Sequence, residues 1–343
     1  MLFNGGTFGG AGGQDATTRC RVEAILPETP TDCRRDARTD RWHAYSLSMM
    51  TAQPDRIERR ARDWWRTPVL FVSHGSPLVT NDEGFKQTLR RFGLGLGVPR
   101  AVVAISAHWT AMRPIRVTAS RQPERIRDYA GFPAWVDAGV PTLPGAPAEA
   151  SKVAALLNGR GLGALLDQGR GLDSAVWLPL ALLFPGARIP TVQVSLPAPI
   201  APDEMLAIGE ALAPLRRDGV VLLASGGIVH NEARARFDQP RPPTEAWAMA
   251  FDSWMRDRLE ADDTGAILNY RRQGPMAHLA APTSEHLDPL FFALGSRLQG
   301  DRCHVIYEGF HGGILSLRTF AFAGRRQGDL RLPPEWTLRT PRP

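Results

Sequence analysis

The chain has 343 residues, of which 43% are hydrophobic and 22% charged, a composition typical of a soluble globular protein with a substantial core. The formal net charge is +6, but only two lysines contribute to it and the arginines do not alternate with aromatic residues, so we expect no nucleic-acid partner. Three scattered cysteines argue against a disulfide framework, and the lack of a long apolar run or a secretory signal predicts a cytoplasmic protein with no membrane span.

The two ends of the chain differ in composition from its middle. Residues 1–62 begin with a glycine-rich stretch and continue with mixed charges and no sustained periodicity. Such a segment buries little apolar surface, so we predict an N-terminal extension that is disordered or loosely attached. The periodic pattern occupies residues 63–325, which we interpret as one globular domain, and residues 326–343 form a C-terminal tail rich in proline and arginine.

Short apolar runs rich in β-branched residues alternate with helical stretches in the globular domain. The runs predict strands at 69–73, 101–107, 189–195 and 220–225, with two closing strands at 303–307 and 314–323. The stretches between them predict helices near 83–92, 146–159, 203–216, 243–260 and 284–298. This alternation is typical of the α/β class, so we predict a mostly parallel central sheet flanked by helices.

Three of the eight histidines come directly after a predicted strand. These are His74, His108 and His230, each at the end of an apolar run. In an open parallel sheet, ligands bind outside the carboxyl ends of the strands, so side chains from separate strands can meet there. Imidazole is a ligand for iron, zinc, copper and nickel. The sequence therefore predicts a metal site at the carboxyl ends of the strands and leaves the metal open.

A fourth candidate ligand, His286, lies beside Glu285 at the start of a predicted helix. Thr283 or Ser284 would cap this helix, and its first turn would then point into the cleft. The alternative is that Glu285 only complements the helix dipole and His286 is a surface group. His311 stands between glycine-rich turns and is a weaker candidate for a position near the cleft.

Five short motifs, in chain order, carry a resemblance to a known family. They are Ser-His-Gly-Ser-Pro at 73–77, Ser-Ala-His-Trp at 106–109, Gly-Phe-Pro at 131–133, Ser-Gly-Gly-Ile-Val-His-Asn at 225–231 and Pro-Thr-Ser-Glu-His at 282–286. Together they resemble the DOPA-dioxygenase (LigB-like) branch of the class III extradiol ring-cleavage dioxygenases. The resemblance covers residues 67–323. It implies a catalytic domain that opens catechol-like aromatic rings with O2.

The resemblance also implies roles for individual residues. His74 and His108 would be metal ligands, His286 would complete the site, and His230 would be either a further ligand or the catalytic base. The cofactor would be one divalent metal ion, Fe(II) or Zn(II). An all-histidine set fits both metals, whereas a carboxylate such as Glu285 would favour Fe(II).

Three further residues are predicted to contact the substrate. Tyr129 and Phe132 are expected to form walls of the pocket. Ser174, in the run Asp-Ser-Ala-Val-Trp at 173–177, stands where the family carries the histidine of an Asp-His-Gly motif. Serine holds no charge at neutral pH, so substrate handling at this position must differ from that of the family.

Two other functions are compatible with the same residues. The first is a non-catalytic metal-binding or interaction protein of this architecture, as discussed for the Memo family. The second is a zinc hydrolase, because histidine ligands with an open position also activate water. Assembly into a homo-oligomer is left open by the sequence.

Overall fold

The computed structural model describes residues 66–129, 139–199, 201–239 and 241–324, all within the unit Gln53–Pro343. The strands are β1 Val69–Ser73, β2 Ala101–Met112, β3 Ile115–Thr118, β4 Ala164–Asp167, β5 Thr191–Ala198, β6 Val220–Gly226, β7 Asp301–Tyr307, β8 Phe310–His311, β9 Leu315–Ser316 and β10 Thr319–Gly324. Eight of them form one sheet in the order β4-β3-β5-β2-β6-β1-β10-β7, and a small second sheet pairs β8 with β9.

The centre of the sheet, β5-β2-β6-β1, is parallel throughout. On either side of this centre the pairing is antiparallel, between β3 and β5 and between β10 and β1. Residues of β1 alternate between two cores, since Val69 and Phe71 pack in one hydrophobic cluster and Leu70 and Val72 in the other. A sheet buried on both faces gives strands that are apolar at every position. The predicted α/β class and the mostly parallel sheet are confirmed.

Helices cover both faces of the sheet. They are α1 Glu83–Leu96, α2 Pro147–Gly159, α3 Ser174–Leu183, α4 Pro202–Leu212, α5 Ala246–Glu260, α6 Thr264–Leu268, α7 Tyr270–Gln273, α8 Ala277–Ala280 and α9 Asp288–Gly295. Helices α1 and α3 pack in the same cluster as Leu70. The remaining long helices, α2, α4, α5 and α9, pack in the cluster of Val69. No helix in the part of the chain that the structure describes is long and apolar enough to cross a bilayer.

Several predicted elements differ from the observed ones. Helix α9 begins at Asp288 rather than at 284, because the backbone from Ser284 to Leu287 forms a turn. The predicted closing strand 314–323 is divided into β9 and β10. Helix α3 was not predicted because it is buried on all sides and therefore lacks an amphipathic pattern. The predicted domain boundaries at residues 62 and 326 lie outside the described residues and stay predictions.

A buried cluster of charged side chains connects several segments of the chain at the amino end of β1. The Arg216 side chain is fully buried, and its Nη1 lies 2.5 Å from Asp301 Oδ2. The same guanidinium donates hydrogen bonds to the carbonyl oxygens of Thr67 at 2.7 Å and Ser296 at 2.9 Å. Asp301 also lies 2.9 Å from Arg66 Nη2. The cluster thus joins the segment before β1, the end of α9 and the start of β7.

Candidate metal centre

Three imidazoles meet at the carboxyl end of the central strands. His74 follows β1 directly, His108 lies on β2, and His286 lies in the turn before α9. One ring nitrogen from each lies within 4.8 Å of the other two. The ring centroid of His74 is 4.8 Å from that of His108 and 5.4 Å from that of His286. These distances suit three ligands that share one ion.

The position of His108 differs from the predicted one. The sequence predicts that β2 ends before His108, but the strand continues to Met112. Its parallel register with β6 ends at Ser106, and its register with β5 shifts between Ile105 and Thr110. Such an irregularity bends a strand and can redirect a side chain next to an active site. His108 therefore reaches the centre from within a strand.

His74 is held on one side and unpartnered on the other. Its Nδ1 lies 3.0 Å from the hydroxyl oxygen of Ser225 on β6. Its Nε2 is buried and has no hydrogen-bond partner among the described residues. Burial, together with the positive charge of the other imidazoles, places the pKa of His74 well below its ordinary value of 6.5. The ring is therefore neutral at physiological pH, the form that binds a metal ion.

A carboxylate lies behind His108. The Nδ1 of His108 is 2.7 Å from Asp128 Oδ2, an arrangement that orients metal-binding histidines in many proteins. Burial acts to lower the pKa of His108, but the hydrogen bond to Asp128 and the nearby carboxylate of Asp173 raise it overall. Burial likewise opposes ionisation of Asp128, yet the bond to His108 lowers the pKa of Asp128 to about 2.

His286 and His230 are stacked. Their ring centroids are 3.6 Å apart and their planes differ by 8°. Burial and the charge of nearby imidazoles lower the pKa of His286 to about 4, although Glu285 opposes this shift. His230 is outside the group of three nitrogens, and its Nε2 lies 3.5 Å from Glu232 Oε1. The structure thus brings His230 beside the centre, and its role as ligand or base stays a proposal.

The turn that carries His286 is fixed by backbone contacts to the end of β6. The carbonyl oxygen of His286 accepts a hydrogen bond of 2.8 Å from the amide of Gly227. A Cβ at position 226 would overlap the same carbonyl oxygen, so only glycine allows this approach. The expected cap at Thr283 or Ser284 is wrong, because their hydroxyls donate to the side chains of Glu285 and Asp288 instead.

A cavity of about 190 Å³ opens beside two of the three imidazoles, those of His74 and His108. Tyr129 and Ser174 line it, as predicted for substrate-contacting residues, whereas Phe132 lies outside the described residues. The amide of Ser174, at the first turn of α3, donates a hydrogen bond of 3.0 Å to Asp128 Oδ1. The described residues that line the cavity are His74, Gly75, Ser76, Pro77, His108, Asp128, Tyr129, Ser174, Ala175, Leu178 and Glu232.

Sequence reasoning did not identify several residues around this cavity. Asp128 lies in a stretch without a recognisable motif and only the fold brings it to His108, whereas Glu232 directly follows the motif at 225–231. Asp173 is completely buried and accepts hydrogen bonds from Ser106, a contact between β2 and the residue before α3. His311 approaches the cavity indirectly, since its Nε2 lies 2.9 Å from the hydroxyl oxygen of Ser76.

Comparison with known proteins identifies the family. Residues 68–310 match the model of the LigB family, described as the catalytic LigB subunit of aromatic ring-opening dioxygenase. The chain belongs to this family. The match confirms most of the range over which the five motifs resemble extradiol dioxygenases, and it includes the three histidines of the centre as well as His230.

Individual relatives agree with the LigB assignment. A 4,5-DOPA dioxygenase extradiol of Beta vulgaris is 33% identical over 260 residues, which cover 74% of this chain and 95% of the relative. A protein of the same name from Escherichia coli K12 is 34% identical over 259 residues, which cover 74% of this chain and 93% of that relative. The solved structure of an uncharacterized protein of Escherichia coli K12 shares 30% identity with a TM-score of 0.63, covering 75% of this chain and all of the other.

The donor set fits a divalent metal ion. Three neutral or weakly basic imidazoles converge, and the buried Nε2 of His74 lacks any other partner among the described residues. Buried polar atoms without a partner are rare in proteins and call for a ligand or an ion. The candidate groups of the described residues do not include Glu285, so the geometry gives no support to Glu285 as a carboxylate ligand.

Proposed function

We propose that this protein is a non-haem, metal-dependent dioxygenase that opens catechol-type rings by extradiol cleavage. His74, His108 and His286 would hold one divalent ion. The observation that carries the proposal is the meeting of their ring nitrogens within 4.8 Å at the end of the sheet where α/β proteins bind ligands. Membership of the LigB family supports the reaction class.

The choice between Fe(II) and Zn(II) determines the chemistry. A bound Fe(II) would acidify the catechol hydroxyls and provide a common position for the ring and O2. The three imidazoles suit either metal. Fe(II) is the proposed cofactor for ring opening, because the extradiol family requires a redox-active ion, and Zn(II) would fill the same ligands without redox activity.

His230 is the proposed general base of the reaction. Its Nε2 is buried beside the centre and would accept a phenolic proton from the substrate. Stacking on His286 fixes the orientation of the His230 ring, and Glu232 at 3.5 Å stabilises the imidazolium that forms. A preorganised base of this kind needs no rearrangement when the proton moves.

Tyr129 and Ser174 are proposed to position the aromatic ring. Tyr129 lines the cavity and packs edge-on against Trp177, with ring centroids 6.0 Å apart, which gives one wall a defined plane. Ser174 offers a hydroxyl that donates and accepts hydrogen bonds but carries no charge. Phe132 is proposed as a further apolar wall, and O2 and a small catechol-like molecule would be the reactants.

Oxygen consumption tests the proposal directly. The protein is reconstituted anaerobically with Fe(II), mixed with a panel of catechols and then exposed to O2 in an oxygen electrode. We expect one O2 to be consumed per ring opened, with a yellow product from the cleaved ring. A fully iron-loaded protein that consumes no O2 with any catechol would overturn the proposal and favour the non-catalytic alternative.

The Zn(II)-loaded protein separates the hydrolase alternative from the dioxygenase. A zinc hydrolase would cleave ester or amide substrates in the absence of O2. The proposed dioxygenase, loaded with Zn(II), would bind catechols and cleave none of these substrates. Hydrolysis that depends on His74 would therefore replace the proposal with the hydrolase function.

A further inference from the structure

We propose that Glu232 makes the site selective for catechols that carry a positively charged substituent. This inference rests on the proposed function, because it concerns the substrate class of the same cavity. Glu232 belongs to the short 3-10 turn Glu232–Arg234, which follows His230 and Asn231. Its carboxylate would bind the substituent of a catechol whose hydroxyls face the three imidazoles.

The Glu232 side chain lies where a substrate would enter. It lines the cavity, and 63% of its surface is exposed, whereas the His230 side chain beside it is 6% exposed. Its carboxylate interacts electrostatically with His230, His286 and His108 together. Glu232 therefore faces the metal centre from the solvent side of the cavity.

The two carboxylates of the cavity differ in their availability. Asp128 uses both oxygens, since Oδ2 binds His108 and Oδ1 accepts from the amide of Ser174. The Glu232 carboxylate forms one ion pair with the described residues, in which Oε1 lies 3.5 Å from His230 Nε2. A glutamate carboxylate at an exposed position is ionised at neutral pH. Glu232 is thus the negative charge that remains available to a ligand.

Among the described residues of the cavity, lysine and arginine side chains do not offset this charge. Of the described residues that line the cavity, none is a lysine or an arginine. Arg236, four residues after Glu232, pairs with Glu245 at 3.1 Å. Arg170 lies over the ring of Trp109 at 5.2 Å and pairs with Asp173 at 3.7 Å. An anionic substituent would therefore meet Glu232 without a compensating cation, whereas an ammonium group would form an ion pair.

The size of the effect follows from the exposure of Glu232. Ion pairs at exposed positions change affinity modestly, and those that are partly buried change it more. We expect a cationic catechol to bind about threefold to tenfold more tightly than a neutral one of similar size. The preference should decrease with added salt, because exposed charges are screened.

Equilibrium binding to the anaerobic Fe(II)-loaded protein tests the inference without turnover. The probes are dopamine, 4-methylcatechol and 3,4-dihydroxyphenylacetate, which carry a positive, a neutral and a negative substituent. Dissociation constants are measured from the quenching of tryptophan fluorescence, at low salt and at high salt. We expect the affinity to fall in the order dopamine, 4-methylcatechol, 3,4-dihydroxyphenylacetate.

Charge variants assign the preference to Glu232. Glu232→Gln should bring the affinity ratio between the cationic and neutral probes close to one, because an effect through His230 is shared by all probes and cancels in the ratio, and Glu232→Asp should retain part of the preference. Glu210→Gln, which removes an exposed carboxylate of α4 outside the cavity, is the matched control and should leave all three constants unchanged. Iron content is measured for each variant, so that a loss of metal is not mistaken for a loss of selectivity.

The outcomes separate this inference from the proposed function. If 4-methylcatechol does not bind the iron-loaded protein, the proposed function fails, and the inference fails with it. If 4-methylcatechol binds but the three probes bind equally, or if Glu232→Gln keeps the preference, only the inference is overturned. A preference that disappears in Glu232→Gln and persists in Glu210→Gln supports it.

Discussion

At the scale of single residues, the unpartnered nitrogen of His74 is the most informative atom of the centre. Its Nε2 is buried without a partner among the described residues, while its Nδ1 is fixed by Ser225 at 3.0 Å. Removing this ring takes away one of the three proposed ligands and, among the side-chain contacts that the structure describes, the hydrogen bond to Ser225. The effect on metal binding should therefore be large and the effect on folding small.

We predict that His74→Ala lowers the affinity for Fe(II) or Zn(II) by more than about a hundredfold, because loss of a ligand costs more than loss of the groups that orient it. The measurement is metal content after dialysis, determined by elemental analysis. His278→Ala removes an exposed histidine of α8 and serves as the control. Equal metal content in both variants would contradict the assignment of His74.

The pair of His108 and Asp128 makes the stability of the metal-free protein depend on pH. Folding raises the pKa of His108 above 6.5, so its contribution is present below that value and is lost as the pH rises through the folded pKa. Folding lowers the pKa of Asp128 from 3.8 to about 2, so its contribution is lost only as the pH falls below 3.8. The pair therefore stabilises the fold most in weakly acidic solution.

We predict that Asp128→Asn destabilises the metal-free protein more at about pH 5.5 than at about pH 8, since a larger fraction of His108 is charged at the lower pH. The measurement is the free energy of unfolding in urea at both pH values. Asp238→Asn, which changes an exposed aspartate outside the cavity, is the control. A destabilisation by Asp128→Asn that does not change with pH would argue against a charged pair.

The sequence names the candidate ligands better than the residues that support them. His74, His108 and His286 belong to short motifs, so each could be named from its neighbours in the chain. Asp128 could not, because it reaches His108 through tertiary folding across 20 residues. A carboxylate behind a histidine leaves no fixed spacing in the sequence, since any nearby loop can supply it.

At the scale of elements, the contact between the end of β6 and the turn before α9 positions His286. Gly226 ends β6, and its backbone lies directly against the carbonyl of His286. The neighbouring amide of Gly227 donates to the same carbonyl at 2.8 Å. The turn therefore depends on the absence of a side chain at position 226.

We predict that Gly226→Ala destabilises the protein by about 1–3 kcal/mol, the usual cost of overpacking, and weakens metal binding because the His286 turn must move. Thermal unfolding and metal titration measure the two effects. Gly159→Ala, at the end of α2 where an added Cβ meets no atom within 4 Å, is the control. Unchanged metal affinity in Gly226→Ala would show that the turn adapts without moving His286.

Elements with a strong local pattern were predicted well, and short edge elements were not. The observed β1 has the predicted bounds, because its five residues are all apolar or small and all buried. Strands β3 and β4 have four residues each and lie at or next to an edge of the sheet, too short for a periodic signal. The start of α9 was misplaced because Ser284 and Asp288 bond to each other within a turn.

At the scale of the whole molecule, the Arg216 cluster joins four separate parts of the chain. Its guanidinium is fully buried and contacts Asp301, Ser296, Thr67 and the carbonyl of Phe322. Removing one member of a buried ion pair leaves the other charge without compensation. The cluster should therefore matter far more for folding than any exposed ion pair of this protein.

We predict that Arg216→Met lowers the free energy of unfolding by about 3–5 kcal/mol, because Asp301 stays buried with Arg66 as its one remaining cationic partner among the described residues. Urea denaturation of the metal-free protein gives this value. Arg217→Met changes an exposed neighbour and should shift the value by less than about 0.5 kcal/mol. Similar shifts in both variants would show that the buried cluster does not stabilise the fold as proposed.

The Arg216 cluster and the three imidazoles lie at opposite ends of the central strands of the sheet. They are separated along β1 by five residues, a length of about 17 Å at the usual rise of a strand. Because substitutions this far apart generally act independently, stabilising changes can be sought among the neighbours of the Arg216 guanidinium while the arrangement of the three imidazoles is kept.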